Sequence, residues 1–279
     1  MFFLVLKKTA YFVIDHFRAL LFLNAIMILS LVIAVFFPVL LIFIPLQIRF
    51  WDIPVLFFAG AAVGLAQFSV VSGAVAFLVR GLTEHKQPSL NGFFTGLKKT
   101  WKMNFAAAGL FWLAVIFILA LFQFMGLLFG VLGILAASIL FWLFLSILLC
   151  YQFFPSFQLR HSGKFFSLLR SLFYFHMDNT LFSLFTLGTN LLIAAASPLL
   201  LCTGIGGATM LAFTDIGLGM RLAKYDYLET HPKDAGKPVP WDKLLSEEQK
   251  QMDSRAIEEI LPWLSGVGKT RNSSRGKKD

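Results

Sequence analysis

The 279-residue chain is 58% hydrophobic and only 14% charged, with a mean hydropathy of +0.76 and 33 phenylalanines. A water-soluble domain carries charge on about a quarter of its residues, so a single soluble core is excluded and a polytopic membrane protein is implied. The net charge of +9 does not point to nucleic acid, because the Lys and Arg residues lie beside apolar spans, where anionic lipid and retention of positive charge on the inner side account for them.

In chain order, "FFLVLKKTA" at 2–10 opens an amphipathic segment, and an apolar span follows at 19–45 with Pro38 and Pro45 inside it. No cleavable signal is expected, since Lys7, Lys8, Asp15 and His16 interrupt the opening apolar run. A short connection with Arg49 and Asp52 leads to a second span at 54–79. A basic segment containing "FFTGLKKTW" (93–101) precedes spans at 105–128 and 131–154. A third related segment, "FFSLLRSLF" (165–173), precedes spans at 180–201 and 203–220. Each span approaches or exceeds the ~20 apolar residues that cross the hydrocarbon. The last is the weakest, being rich in glycine and carrying Asp215, and is expected to bury itself against other helices.

The basic residues before Met220 are Lys7, Lys8, Arg18, Arg49, Arg80, Lys86, Lys98, Lys99, Lys102, Arg160, Lys164 and Arg170. All but Arg49 fall before span one, between spans two and three, or between spans four and five. This asymmetry predicts that both termini are cytoplasmic.

The three Phe-Phe segments then share one side of the membrane. At about 100° per residue, Phe93, Phe94, Leu97 and Trp101 fall in one arc while Lys98, Lys99 and Lys102 occupy the opposite one. Phe165, Phe166, Leu169, Leu172 and Phe173 oppose Lys164, Arg170 and Ser171 in the same way. Aromatics at the acyl boundary with cations toward phosphate describe an interfacial helix. The expected fold is therefore an all-α membrane protein of six transmembrane helices arranged as three hairpins. Each hairpin is preceded by a cytoplasmic interfacial amphipathic helix, the repeats starting near 2, 93 and 165.

This membrane domain is expected over 1–224, with a cytoplasmic tail over 225–279. Within the tail, "THPKDAGKPVP" (230–240) reads as an extended linker and 246–261 as a short helix with Ser246 as N-cap and Pro262 after it. The basic, Gly/Ser-rich end reads as disordered. "GVGKT" at 266–270 lacks the glycine that a phosphate loop needs at 263, which is Trp, and no strand precedes it.

No catalytic constellation is expected, nor any cofactor or metal site, and the chain does not read as an enzyme. His16 beside Asp15 and His176 beside Asp178 occupy matching positions, for which interfacial capping is the simpler role and a proton relay or metal the alternative. Cys150 and Cys202 are expected at opposite ends of the spans, too far apart to pair. Asp215 is the one acid inside a span. It either pairs with Arg221 or a neighbouring interfacial cation, or serves a ligand or ion path. Asn24, Gln67 and Asn190, with Gln123 and Gln152, are amides in spans that bond between helices or converge on a polar cavity.

The hairpin, the segment "NGFFTGLKKTWKMNF", the second hairpin, "GKFFSLLRSLF" and the final glycine-rich span together resemble the YesL-like family of bacterial integral membrane proteins. The resemblance covers about residues 1–225, rests on the order of features, and leaves the tail outside. Members of that family are of unsettled function and are associated with carbohydrate uptake systems. The resemblance implies a transport-associated subunit in the bacterial inner membrane with other transport subunits as partners, and carries over no active-site residues. Contact with anionic lipid is expected from the basic segments themselves. The alternative is a non-transporting scaffold that recruits a partner through its interfacial helices and tail.

Overall fold

The computed structural model describes residues 2–43, 52–83, 86–128, 130–161, 163–197, 206–232 and 240–241. The predicted tail helix at 246–261, the basic end, the "GVGKT" segment, Cys202 and the beginning of the sixth predicted span lie outside them. The chain forms two compact units, Met1–Met220 and Arg221–Asp279. In the second, Tyr227 stacks on His231 with ring centroids 4.6 Å apart.

The described secondary structure is all helical: α1 (Phe2–Asp15), α2 (Phe17–Phe43), α3 (Asp52–Thr83), α4 (Leu90–Leu128), α5 (Gly130–Tyr151), α6 (Phe154–Phe157), α7 (Phe165–Asp178), α8 (Thr180–Ala196) and α9 (Gly207–Thr230). Among the described residues, four segments are long and apolar enough to cross a membrane: Phe17–Leu40, Leu56–Thr83, Leu90–Leu121 and Gly133–Tyr151. A fifth arises if α7 and α8, which meet at 95°, count as one bent span. The protein is thus an all-α protein whose apolar helices suit a membrane. Much of their surface is exposed Leu, Ile, Val and Phe, as for helices solvated by lipid rather than water.

Consecutive helices make the most extensive contacts, α3 with α4 above all, then α2 with α3 and α4 with α5. Small residues permit this. A Cβ on Gly64 of α3 would overlap the main-chain carbonyl of Ala34 in α2, and one on Gly73 would overlap the Asn104 side chain of α4. On α4, Gly96, Thr100, Asn104 and Ala108 recur every fourth residue and are buried. Such small or polar stripes let helices approach where lipid offers no hydrophobic drive toward association. Ser69 donates to the Asn104 carbonyl at 3.2 Å and Tyr151 donates to Ser69 at 2.9 Å, tying α5 into the same seam.

The second Phe-Phe segment corrects one expectation. It is not a separate interfacial helix, because α4 runs without a break from Leu90 to Leu128. Nothing in "KMNFAA" stops a helix, and Asn104 returns its amide to the Thr100 carbonyl, 3.0 Å away, one turn back. The other two segments do end before the next helix. His16 forms a turn after α1, and Asn179 leaves helical geometry at φ −130°, ψ 38° between α7 and α8.

In all three segments the phenylalanine pair divides its roles. Phe3, Phe94 and Phe166 are strongly exposed at 75%, 56% and 81%. Phe93 and Phe165 are half-buried, and Phe2 lies with its ring centroid 4.5 Å from that of Phe185 on α8. An aromatic cluster continues from there through Phe182 and Phe153 to Phe175 and Phe157, joining α1, α6, α7 and α8.

Candidate functional site

Of the polar residues singled out in the spans, Asp215 lies on α9 and Asn24 and Asn190 bond to that helix, whereas Gln152 donates to the Ser183 carbonyl of α8 at 2.9 Å. From Ala208 to Leu218 α9 is buried apart from Met210, and Met220 is buried as well. Its glycines admit close neighbours: a Cβ at Gly217 would lie 2.7 Å from the Phe182 ring, and one at Gly219 would lie 3.2 Å from Arg160 Nη2.

Asp215 is 2% exposed. Its partner is Arg160, in the turn that follows the four-residue α6. Pro155 sits at the start of that helix, and the Arg160 and His161 N–H groups close the turn on the Phe157 carbonyl at 3.0 and 3.1 Å. From there the guanidinium Nη2 donates to Asp215 Oδ2 at 2.9 Å and to the Asp215 main-chain carbonyl at 3.2 Å. Arg80 of α3, whose Nη1 donates to the Leu159 carbonyl, and the buried Ser156 of α6 also lie within electrostatic reach of the carboxylate. Asp215 Oδ1 and Ser156 Oγ have no hydrogen-bond partner among the described residues. A carboxylate removed from water needs such compensation, since an isolated buried charge is far more costly than a paired one.

Asn24, 4% exposed, reaches α9 from α2: its Oδ1 accepts the Ala208 N–H at 2.7 Å. Ala208 is the second residue of α9, where N–H groups have no partner inside the helix, so Asn24 caps α9 from another element. Asn190 of α8 donates through Nδ2 to Thr214 Oγ1 at 3.2 Å, leaving its Oδ1 without a partner among the described residues. Gln67 stands apart. Its Nε2 donates to Ser30 at 3.0 Å across the α2–α3 contact. Three of the four predicted polar residues therefore meet α9, and the fourth fastens a different helix pair.

The predicted lipid-facing residues are largely outward. Lys98, Lys99, Trp101 and Lys102 are exposed on α4, and Phe166 and Arg170 on α7. Lys102 lies over the Trp101 ring at 5.7 Å and Arg170 over Tyr174 at 5.5 Å. Lys99 leans back over Phe77 of α3 at 5.5 Å. Leu172, placed by periodicity on the outward apolar arc of α7, is instead buried with Leu168 and Phe175, so α7 has one apolar edge for the protein and another for its surroundings.

Sequence reasoning did not single out Arg160 as the partner of Asp215, or Thr214, Ser30 and Ser156 as members of these contacts. One signal was present: Gly219 stands one turn after Asp215, which clears the same helix face for a long side chain. Cys150 is a free thiol. No group of three or more His, Cys, Asp or Glu that could hold a metal ion occurs among the described residues. Comparison with family models, with curated proteins and with solved structures finds no match for this chain.

Proposed function

We propose that this is a multi-pass protein of the bacterial cytoplasmic membrane that serves as an accessory subunit of a solute uptake system and is not itself the conduit. Six transmembrane helices stand in three hairpins, with both termini cytoplasmic and the exposed lysines of α4 toward anionic headgroups. The order of features shared with the YesL-like family supports the bacterial membrane and the association with uptake of a solute such as a carbohydrate. The observation that carries the non-conducting role is how the interior polar groups are engaged. Asn24, Asn190 and Asp215 each bond a neighbouring element, so their polarity is used to fix α9 in the bundle. Its partners are other membrane subunits, and the chain performs no chemistry of its own.

A second reading keeps a solute or ion path through Asp215. Asp215 Oδ1, which has no hydrogen-bond partner among the described residues, and the buried Ser156 hydroxyl close to the carboxylate support it. Purification with co-eluting membrane partners, combined with flux measurements on proteoliposomes containing this chain alone, separates the two. The accessory role expects stable partners and no flux. Flux by the isolated chain that is lost in Asp215→Asn would establish the path and end the accessory reading.

A further inference from the structure

Of the four candidate spans, α5 is the one least enclosed by its own chain, and its outward surface carries polar groups that lipid cannot serve. Trp142 is the central residue of the span Gly133–Tyr151, about 14 Å of helix from either end. Tryptophan in membrane proteins collects at the two interfaces, where the ring meets apolar groups and the N–H meets water. Here the side chain is 63% exposed at mid-span. Its ring touches that of Phe141 edge-on, centroids 5.8 Å apart, and its N–H makes no hydrogen bond among the described residues.

Two serines stand one turn before and one turn after this ring. At about 100° per residue, Leu135, Ser138, Ile139, Trp142 and Ser146 share one arc of α5. Ser138 is exposed, and its hydroxyl donates to the Ile134 carbonyl at 3.0 Å, which leaves its oxygen able to accept. The arc therefore presents a donor without an acceptor at 142 and an acceptor one turn away at 138. Hydrocarbon tails satisfy neither group, and water does not reach that depth.

We propose that α5 is a dimer interface. Two copies of this chain pack in parallel through the 135–146 arc, and the Trp142 N–H of each donates to Ser138 Oγ of the other. A two-fold pair needs a surface that is its own complement, and one arc here holds both halves of the bond. Side chains on a helix lean toward its N-terminus, so the Trp142 ring covers the turn of a parallel neighbour that contains residue 138. Ser138 and Ser146 are small, which leaves room for two indoles between closely approaching helices. A helix of a different protein would have to bring its own acceptor to the same depth, and lipid brings none. The dimer does not depend on the accessory-subunit reading.

The test uses the full chain in liposomes. Energy transfer between copies fused at the C-terminus to donor and acceptor fluorescent proteins is followed as the protein is diluted into lipid. Trp142→Phe keeps the ring and removes the N–H, and Ser138→Ala removes the acceptor. Each change abolishes both symmetry-related bonds, so each weakens the dimer on the order of tenfold. The double variant is no weaker than either single one, because the same bonds are already lost. Leu113→Ala, on the exposed face of α4, leaves the association unchanged. A second readout keeps every interface polar group and so covers a folding defect in the first set. In a Cys150→Ala/Cys202→Ala background, oxidation cross-links Ile139→Cys into a dimer and leaves Leu192→Cys, on the exposed face of α8, monomeric. A chain that stays monomeric at the highest protein-to-lipid ratio, as when lipid or another protein covers α5, overturns the proposal. So does a dimer that Trp142→Phe and Ser138→Ala leave unchanged, or one that cross-links through Leu192→Cys and not Ile139→Cys.

Discussion

Arg160 grips Asp215 twice, its Nη2 donating to the carboxylate at 2.9 Å and to the main-chain carbonyl at 3.2 Å. The two ends of this pair are not equivalent. Asp215 is enclosed, whereas a quarter of the Arg160 side chain still meets its surroundings.

Substitution at the two ends should therefore cost different amounts. Arg160→Gln strands a buried carboxylate, a loss of about 3–5 kcal/mol. Asp215→Asn keeps an oxygen that can accept from Arg160, and a freed guanidinium can turn outward, so the loss is about 1 kcal/mol. The double variant should be more stable than Arg160→Gln alone, because it removes the stranded charge. Thermal unfolding in detergent of the three variants checks the order. Equal losses for both single variants would show that the pair is not what holds α9.

Close helix approach makes a second prediction, at glycines that differ in what a methyl would meet. Gly64→Ala pushes into the backbone carbonyl of Ala34, and Gly217→Ala into the Phe182 ring. Backbone cannot yield as a flexible side chain does, so Gly64→Ala should lose about 1–3 kcal/mol, and Gly217→Ala somewhat less. At Gly109 and Gly188 a Cβ meets nothing within 4 Å. Alanine there should be neutral or gain up to about 1 kcal/mol from reduced freedom of the unfolded chain. Melting temperatures of the four variants in one detergent provide the comparison.

Asn24 supplies a third. Asn24→Ala removes the acceptor for the Ala208 N–H and leaves a buried donor at the start of α9, at a cost of about 1–2 kcal/mol. The loss should be local, with faster proteolysis or hydrogen exchange over the first turns of α9 before any change in α3 or α4. Gln67→Ala, which releases Ser30 at the α2–α3 contact, should leave α9 protection unchanged. Identical protection patterns in both variants would argue against a separate capping role.

These contacts show how far the sequence could be read. Composition and span length led to an all-helical membrane architecture, because apolar runs of this length have few other ways to satisfy their backbone. Asp215, Asn24, Gln67 and Asn190 were recognisable as exceptions within those runs. Their partners were not, since Asn24 and Ala208 are 184 residues apart and only the fold brings them together. The periodicity of 93–102 set aromatics and lysines on opposite arcs, yet it could not separate a helix lying on a surface from the first turns of a longer one. That distinction lay in the junctions: Asp15-His16 and Asp178-Asn179 interrupt their helices, whereas the residues after Lys102 contain no interruption.

The continuity of α4 leads to the last prediction, on the disposition of its basic end. Thirty-nine residues make a rod of about 58 Å, far longer than the ~30 Å hydrocarbon layer. The excess must project at one or both ends, and Lys98, Lys99 and Lys102 place a projection at the start of the helix. Probes along this segment should then report a gradient of depth. From position 94 to 101 the helix rises about 10 Å, whereas a helix lying flat would hold both positions at one depth. Nitroxide quenching of a single tryptophan at 94 or at 101, each in a background with the remaining tryptophans changed to Phe, reads this in liposomes. A deeper Trp101 agrees with the continuous helix, and equal depths would require a bend near Asn104. Reporter fusions in the 86–92 connection and at Lys224 should both register the cytoplasmic side, and Lys98→Glu/Lys99→Glu/Lys102→Glu should disturb that orientation by removing the inner-side positive signal. An external signal from either fusion would refute the orientation even if the depth gradient were found.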